Sequence, residues 1–303
     1  MGTGLLLDRI VGEPPNSVHP VAWFGTVMQR VEHRLWPPGD HAPPSDSHPR
    51  WRGAAYAAAG VTLGIAAGCT VRSTTLAVCV GAAGRELRRV ADQIGAAAVT
   101  GGLDAARAEL PSLVGRDPSQ LDASGVAAAV IESVAENSVD AVVAPVFWAL
   151  LAGAPGACAY RAINTMDAMV GHRSTRYARF GTVAARLDDV ANYAPARCFA
   201  VLLAMVTPTR ARSLHRIIRR DAAAHPSPNA GVAESAMAAA LDRQLGGPLR
   251  YGDRLEERPL LGDGDRPVPA DIFDATRLAG HVELVMTTAL LVIGVTRALH
   301  GRS

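Results

Sequence analysis

Residues 131–153 read IESVAENSVDAVVAPVFWALLAG, three carboxylates followed by a stretch apolar enough to enter a membrane. Glu132, Glu136 and Asp140 are spaced four apart, so a helix places them on one face. Two readings of that stripe carry equal weight. It is an acidic helix start that complements the macrodipole, or it offers the hard oxygen ligands, with Asn137, that Mg²⁺ prefers.

The rest of the chain supports a membrane context for the stripe. Apolar residues make up 49% of the 303 residues but aromatics only 5%, so Ala, Val and Leu supply the apolarity. Residues 53–71 are uncharged, flanked by Arg50, Arg52 and Arg72, and long enough to cross a bilayer. Residues 73–84 form a second run ending in Arg85, Arg88 and Arg89, and the two suit a hairpin with basic ends in the cytoplasm. Residues 139–163, 193–207 and 278–296 are three more, the last carrying His281 and Glu283 near its start. The expected fold is therefore an all-α, polytopic integral membrane protein forming one domain over residues 1–303. A large Ala-rich soluble bundle is the competing reading. Topology stays open: 139–163 crosses once, or GAPGA at 153–157 turns it into a re-entrant hairpin around 139–165. The polar region 210–277 reads as helix and turn, without strand-like alternation.

Composition excludes several chemistries. All thirty Lys+Arg residues are Arg, so no P-loop lysine, Schiff base or pyridoxal-phosphate anchor exists. Net charge of +2 gives no case for nucleic acid. The four cysteines lack CxxC spacing and are expected to be buried small hydrophobes.

Further polar groups gather beside the apolar runs. Asn164 and Asp167 share a helical face, with Arg173, Arg176 and Arg179 just after them. Asp188 and Asp189 stand four and three residues before Asn192, between Arg186 and Arg197. Arg216, Arg219 and Arg220 lie on one side of a helix that precedes the turn HPSPNAG at 225–231. The arginines fit an interfacial belt or a phosphate clamp. Polar groups leading into successive apolar spans point to a functional site. At the N-terminus, Asp8 and His19 fit a helix-capping loop better than a ligand pair.

These blocks together carry a resemblance. LLLDRIVGEPP with HPVAWFG, VGRD, ESVAENSVDAVVAPVFWALLAGAP, AYRAINTMDAMVGHR, RLDDVANYAPAR, SPNAGVAESAMAAAL and LGGPLRYG resemble, in order, the motifs of the CobD/CbiB family of adenosylcobinamide-phosphate synthases. Glu13 stands where that pattern has Asp, and Val139 and Ala141 depart from a more usual S/T-D-G. The resemblance implies a multi-pass enzyme of the cell (cytoplasmic) membrane acting late in cobalamin biosynthesis. Using ATP and Mg²⁺, it would join adenosylcobyric acid, a corrinoid, to aminopropanol or its O-phosphate. Metal binding is then expected of Glu132, Glu136, Asp140 and Asp167, and catalysis of Asp188, Asp189 and Arg186. Asn137, Asn164, Asn192, Arg173, Arg197 and Arg220 would bind substrate or phosphate. Membrane lipid is an expected partner, as is a second copy or another late cobalamin-synthesis membrane enzyme. A non-catalytic corrinoid-binding scaffold or transporter component is the rival reading.

Overall fold

The computed structural model describes residues 1–15, 17–36, 48–115, 117–172, 174–247, 249–251, 254–256 and 258–300. The described chain is helical almost throughout. In order it forms α1 (Gly2–Val11), α2 (Pro20–Leu35), α3 (Pro49–Val71), α4 (Thr74–Gly81), α5 (Gly84–Ala96), α6 (Leu103–Glu109) and α7 (Ala123–Ser138). A π-helical turn, Val139–Val143, precedes α8 (Ala144–Val170). There follow α9 (Thr182–Val206), α10 (Ala211–Asp221), α11 (Ala230–Leu241) and α12 (Asp271–His300). Four stretches are long and apolar enough to cross a membrane: Pro49–Val71, Ala123–Val170, Thr182–Val206 and Asp271–His300. Their outward faces carry Leu63 and Ile65, Val201 and Met205, and Val292, Ile293 and Val295 in exposed positions, as lipid contact requires.

The chain divides into two compact units. The first is built mainly from residues 3–82 and 144–192, the second from 83–143 and 193–303.

In the first unit α8 is a hairpin. Its backbone leaves helical geometry at Ala152 (φ −135°) and Gly153 (φ 64°). A Cβ on Gly156 would lie 2.3 Å from the Trp148 carbonyl oxygen. Eight residues along a straight helix span about 12 Å, so the second limb folds back onto the first. Ala144 and Tyr160 accordingly share one buried cluster. The bend falls at GAPGA, where the sequence offered a hairpin, and Gly153 permits it by adopting a positive φ that other residues resist. The helix α4 also turns back, after Arg72 (φ 53°), and shares an apolar cavity wall with Gly64 and Ala67 of α3. Its eight residues reach only about 12 Å, too short for a full crossing.

A glycine stripe joins α3 to the second limb of α8. Cβ atoms on Gly60, Gly64 and Gly68 would stand 2.2 Å from Met166 Sδ, 2.8 Å from Ala162 Cβ and 2.4 Å from Pro155 Cα. Small residues four apart let two apolar helices pack backbone to backbone.

In the second unit α7 is the central helix. Every residue from Val126 to Ala135 is buried, with α5, α11 and α12 packed around it. An all-round apolar helix of this kind belongs in a protein core. The acidic stripe therefore begins inside the protein, not at a lipid boundary. Two short antiparallel pairs interrupt the polar region read as helix and turn: Leu245–Gly246 with Leu260–Leu261, and Leu249–Tyr251 with Arg254–Glu256. The cysteines depart from the expected burial. Cys69 is exposed and Cys79, Cys158 and Cys198 are half-buried, because each sits near the outer face of an apolar helix.

Candidate functional site

The two Asn/Asp blocks of the first unit, separate in sequence, come into contact in space. Asn164, on the second limb of α8, donates from Nδ2 to Asp188 Oδ1 at 3.4 Å, and Asn192 donates to Asp188 Oδ2 at 3.0 Å. Tyr160 donates its hydroxyl to Asn192 Oδ1 at 2.9 Å, and Arg161 donates to Asn164 Oδ1 at 3.1 Å. Tyr160, Asn192, Asp188, Asn164 and Arg161 thus form one hydrogen-bonded chain. Trp148 donates from Nε1 to the Ala191 carbonyl at 3.0 Å, tying the first limb of α8 to the same turn of α9. Asp167 lies within electrostatic reach of Asp188 and Asp189. Gly171 leaves room for it, since a Cβ there would stand 1.8 Å from Asp167 Oδ1.

The arginines of this region divide. Arg176 pairs with the buried Glu32 at 2.7 Å and with the Trp36 carbonyl at 2.6 Å, while Tyr177 donates to the same Glu32 oxygen at 2.9 Å. That is a structural anchor for the loop after α8. Arg186 is 81% exposed and only 3.9 Å from Asp189, so its guanidinium is available to a ligand. Arg173 lies outside the described residues. His19 accepts from the Val21 N–H at 3.1 Å as the N-cap of α2, which is the capping role read for it from the sequence.

The acidic stripe belongs to the second unit, where it meets side chains from far along the chain. Glu132 Oε1 accepts from the Gly246 N–H at 2.8 Å. Gly246 sits at φ 73°, and a Cβ there would come within 2.0 Å of the Pro259 carbonyl oxygen, so only glycine can deliver that amide. Glu136 is hydrogen-bonded to Glu234 of α11. Glu234 is 2% exposed, and its Oε1 has no hydrogen-bond partner. Burial raises its carboxyl well above the ordinary range, and the neighbouring Glu136 and Glu132 charges push the same way.

His225 stands beside them, its Nε2 3.6 Å from Glu234 Oε1 and 3.2 Å from Arg258 Nη1. Its Nδ1 is 3.1 Å from both the Ser227 carbonyl oxygen and the Ser227 N–H, accepting from the N–H in one tautomer and donating to the carbonyl in the other. Burial lowers its pKa below the ordinary histidine value. Asn137 donates to the Ser133 carbonyl at 2.9 Å and to Ser133 Oγ at 3.0 Å. Together Ser133, Glu136, Asn137, Gly115 and Arg258 line a polar cavity of about 170 Å³. Asp140, in the π-helical turn beyond, is half-buried.

Two predicted phosphate arginines are committed elsewhere in this unit. Arg220 pairs with Asp221 and Asp263, and Asp221 also accepts from the Gly262 N–H at 2.9 Å. Arg197 lies 3.5 Å over the Tyr193 ring and donates to the Tyr193 carbonyl at 2.7 Å and to Asn229 at 3.4 Å.

Sequence reasoning missed Tyr160, Glu234 and Arg258 as site residues and treated His225 as part of a turn. Glu234 had a usable signal, a lone acid in the apolar run GVAESAMAAAL. Arg258 had none, since it is one of many arginines in a polar region.

Among the described residues, no group of three or more His, Cys, Asp or Glu side chains could hold a metal ion by itself. The donor chemistry of Asp167, Asp188 and Asp189, with Asn164 and Asn192 beside them, nonetheless suits Mg²⁺, which takes one or two carboxylates and completes its shell with water and phosphate oxygens.

Comparison with known proteins fits the motif blocks. The family model described as CobD/Cbib protein matches residues 1–279. Cobalamin biosynthesis protein CobD of Mycobacterium tuberculosis is 45% identical over 285 residues, covering 92% of this chain and 90% of the relative. CobD of Rhodobacter capsulatus is 47% identical over 217 residues, covering 70% and 68%. Cobalamin biosynthesis protein CbiB of Salmonella typhi is 37% identical over 304 residues, covering 95% and 94%. No solved structure matches.

Proposed function

This chain belongs to the CobD/CbiB family, and on that premise we propose that it is an adenosylcobinamide-phosphate synthase of the cytoplasmic membrane, crossing it several times. In this reading an ATP-dependent ligase joins the propionate carboxyl of adenosylcobyric acid to (R)-1-amino-2-propanol or its O-phosphate through an amide. The observation that carries it is the convergence on Asp188, which both Asn164 and Asn192 hold by hydrogen bonds, with Asp167 and Asp189 nearby.

A carboxylate is a poor acyl donor and must first be activated. Transfer of the γ-phosphoryl group of ATP to the propionate oxygen yields an acyl phosphate and ADP. The amine nitrogen then attacks the acyl carbon, the C–O bond to phosphate breaks, and the amide and phosphate leave. Phosphoryl transfer of this kind depends on positioning and charge neutralisation more than on a protein nucleophile, so a chain without lysine loses nothing essential.

Asp167 and Asp189 are the residues that would hold Mg²⁺. When bound, the ion neutralises phosphate charge. Asp188 acts as the fixed acceptor that orients the two asparagine amides; their carbonyl oxygens are held by Arg161 and Tyr160, and the second N–H of each amide is the group that would meet substrate. Arg186 supplies an accessible guanidinium for phosphate. Where Asp167 alone holds the ion, Asp189, less enclosed than Asp188, is instead the base that takes the proton the ammonium gives up. Glu132 is held by a backbone amide and fits a structural role better than metal binding.

The test is conversion of adenosylcobyric acid by the detergent-solubilised chain. The expected result is a cobinamide product formed with stoichiometric ADP and phosphate. Formation of AMP and pyrophosphate would discard the acyl-phosphate step, and absence of any ATP-dependent product would discard the synthase. A transporter component instead predicts vectorial corrinoid uptake into vesicles without nucleotide.

A further inference from the structure

The polar cavity in the second unit has no role in the activation chemistry described above. Resting on the synthase reading, we propose that this cavity is the subsite for the small amine substrate, with Glu136 receiving its ammonium group and Arg258 its phosphate or hydroxyl end.

Size argues first. The cavity holds about 170 Å³, the space of roughly five to six liquid-water volumes. Sites for drug-sized ligands run to about 300–1,000 Å³, so neither a nucleotide nor a corrinoid fits inside. A three-carbon amino alcohol, free or phosphorylated, is of the right scale.

Charge argues next. The lining carries both signs, with Glu136 and Arg258 on the walls and Ser133 and Asn137 between them. A short aminoalkyl phosphate carries a cation at one end and an anion at the other. Arg presents a forked set of donors suited to phosphate oxygens. The Ser133 hydroxyl donates to the Leu113 carbonyl at 3.2 Å, and Asn137 is held by Ser133, so this wall is pre-ordered.

The groups behind the wall support the same assignment. Glu234 is almost fully buried, contacts Glu136 and leaves Oε1 without a hydrogen-bond partner. A cationic group at Glu136 offsets the like-charge contact between the two carboxylates. His225 lies within 3.6 Å of Glu234 and 3.2 Å of Arg258, linking the two ends of the subsite.

The experiment is calorimetric titration of the full detergent-solubilised chain with 1-amino-2-propanol O-phosphate, free 1-amino-2-propanol, inorganic phosphate and ATP. Amide-synthesis kinetics run in parallel on each preparation. Arg258→Gln should weaken the aminoalkyl phosphate at least tenfold, leave free aminopropanol within twofold, and raise KM for the phosphorylated amine with kcat little changed. Glu136→Gln should weaken both amines tenfold or more and leave inorganic phosphate and ATP unaffected. Arg258→Lys, which keeps the charge without the fork, should fall between wild type and Arg258→Gln. Ser133→Val, which fills the cavity without touching charge, should weaken both amines should either charge variant fail to fold.

Loss of ATP binding with amine binding intact would overturn the proposal, as would unchanged amine affinity in folded variants. If wild type makes no amide yet binds the amine in this variant-sensitive way, the synthase reading fails and the subsite stands. If wild type makes amide and the variants leave amine KM unmoved, the reading stands and the subsite fails.

Discussion

The two polar centres of this protein solve the same problem in opposite ways. In the first unit, the carboxylate of Asp188 is satisfied by two side-chain amides, themselves held by Tyr160 and Arg161. In the second, Glu136 and Glu234 face one another, and one buried oxygen is left without a partner. A satisfied network is rigid and specifies geometry, while a partly satisfied one stores a cost that a ligand or a proton relieves. The contrast fits the two proposed roles, one centre that holds phosphate in line and one that admits a small charged molecule.

The largest test breaks the first centre. Asp188→Ala removes the acceptor for both asparagines and should lower kcat/KM for amide synthesis by about 1,000-fold, or ~4 kcal/mol of transition-state stabilisation. Asp188→Asn keeps the shape but presents amide hydrogens toward other amide hydrogens, and should rescue little. Activity near wild type in either variant would reduce this centre to a packing element.

Next in size is the backbone that supports the second centre. Gly246→Ala puts a Cβ against the Pro259 carbonyl and withdraws the amide bonded to Glu132. A loss of about 2–4 kcal/mol of stability is expected from strain and a lost buried hydrogen bond together. Thermal unfolding in detergent measures it, and an unchanged midpoint would mean that the turn can shift.

A pH experiment probes the second centre. The Glu234 pKa is raised above its ordinary 4.5, so the folded state binds the extra proton. Stability contributed by that proton is present at low pH and declines as pH rises from 4.5 toward the folded value. His225 shifts the other way: its lowered pKa makes stability rise with pH until the ordinary 6.5 is passed. Glu234→Gln should therefore flatten the decline above pH 4.5 and unfold at or above the wild-type temperature at pH 8, while synthesis falls. A decline as steep as in wild type would show that Glu234 ionises normally. The smallest effect belongs to Arg186→Ala. Its pair with Asp189 is long and exposed, so stability should stay within about 0.5 kcal/mol, while KM for ATP rises several-fold.

Much of the first centre was legible in the sequence because its members lie in two compact blocks at helical spacing. Asn164 and Asp167 are on one helix limb, and Asp188, Asp189 and Asn192 on another. The blocks needed only one packing contact to meet. The hairpin at Gly153 was legible as an alternative, but periodicity could not choose between one crossing and two limbs, since both are apolar throughout. The second centre was half visible. Glu132 and Glu136 announced it, yet their partners come from residues 225, 234, 246 and 258. No local rule relates those positions to α7.

The sequence by itself determined that this is a helical, membrane-suited chain without lysine chemistry, because composition and apolar run length act locally and additively. It also determined the family, through seven blocks in order. Only the tertiary structure decided that the acidic stripe lies in a protein core and that Gly60, Gly64 and Gly68 form a helix-packing seam. It also decided that Glu234, His225 and Arg258 complete the stripe. Those outcomes depend on which helix covers which face, and that is set by the packing of distant segments, not by the pattern within any one of them.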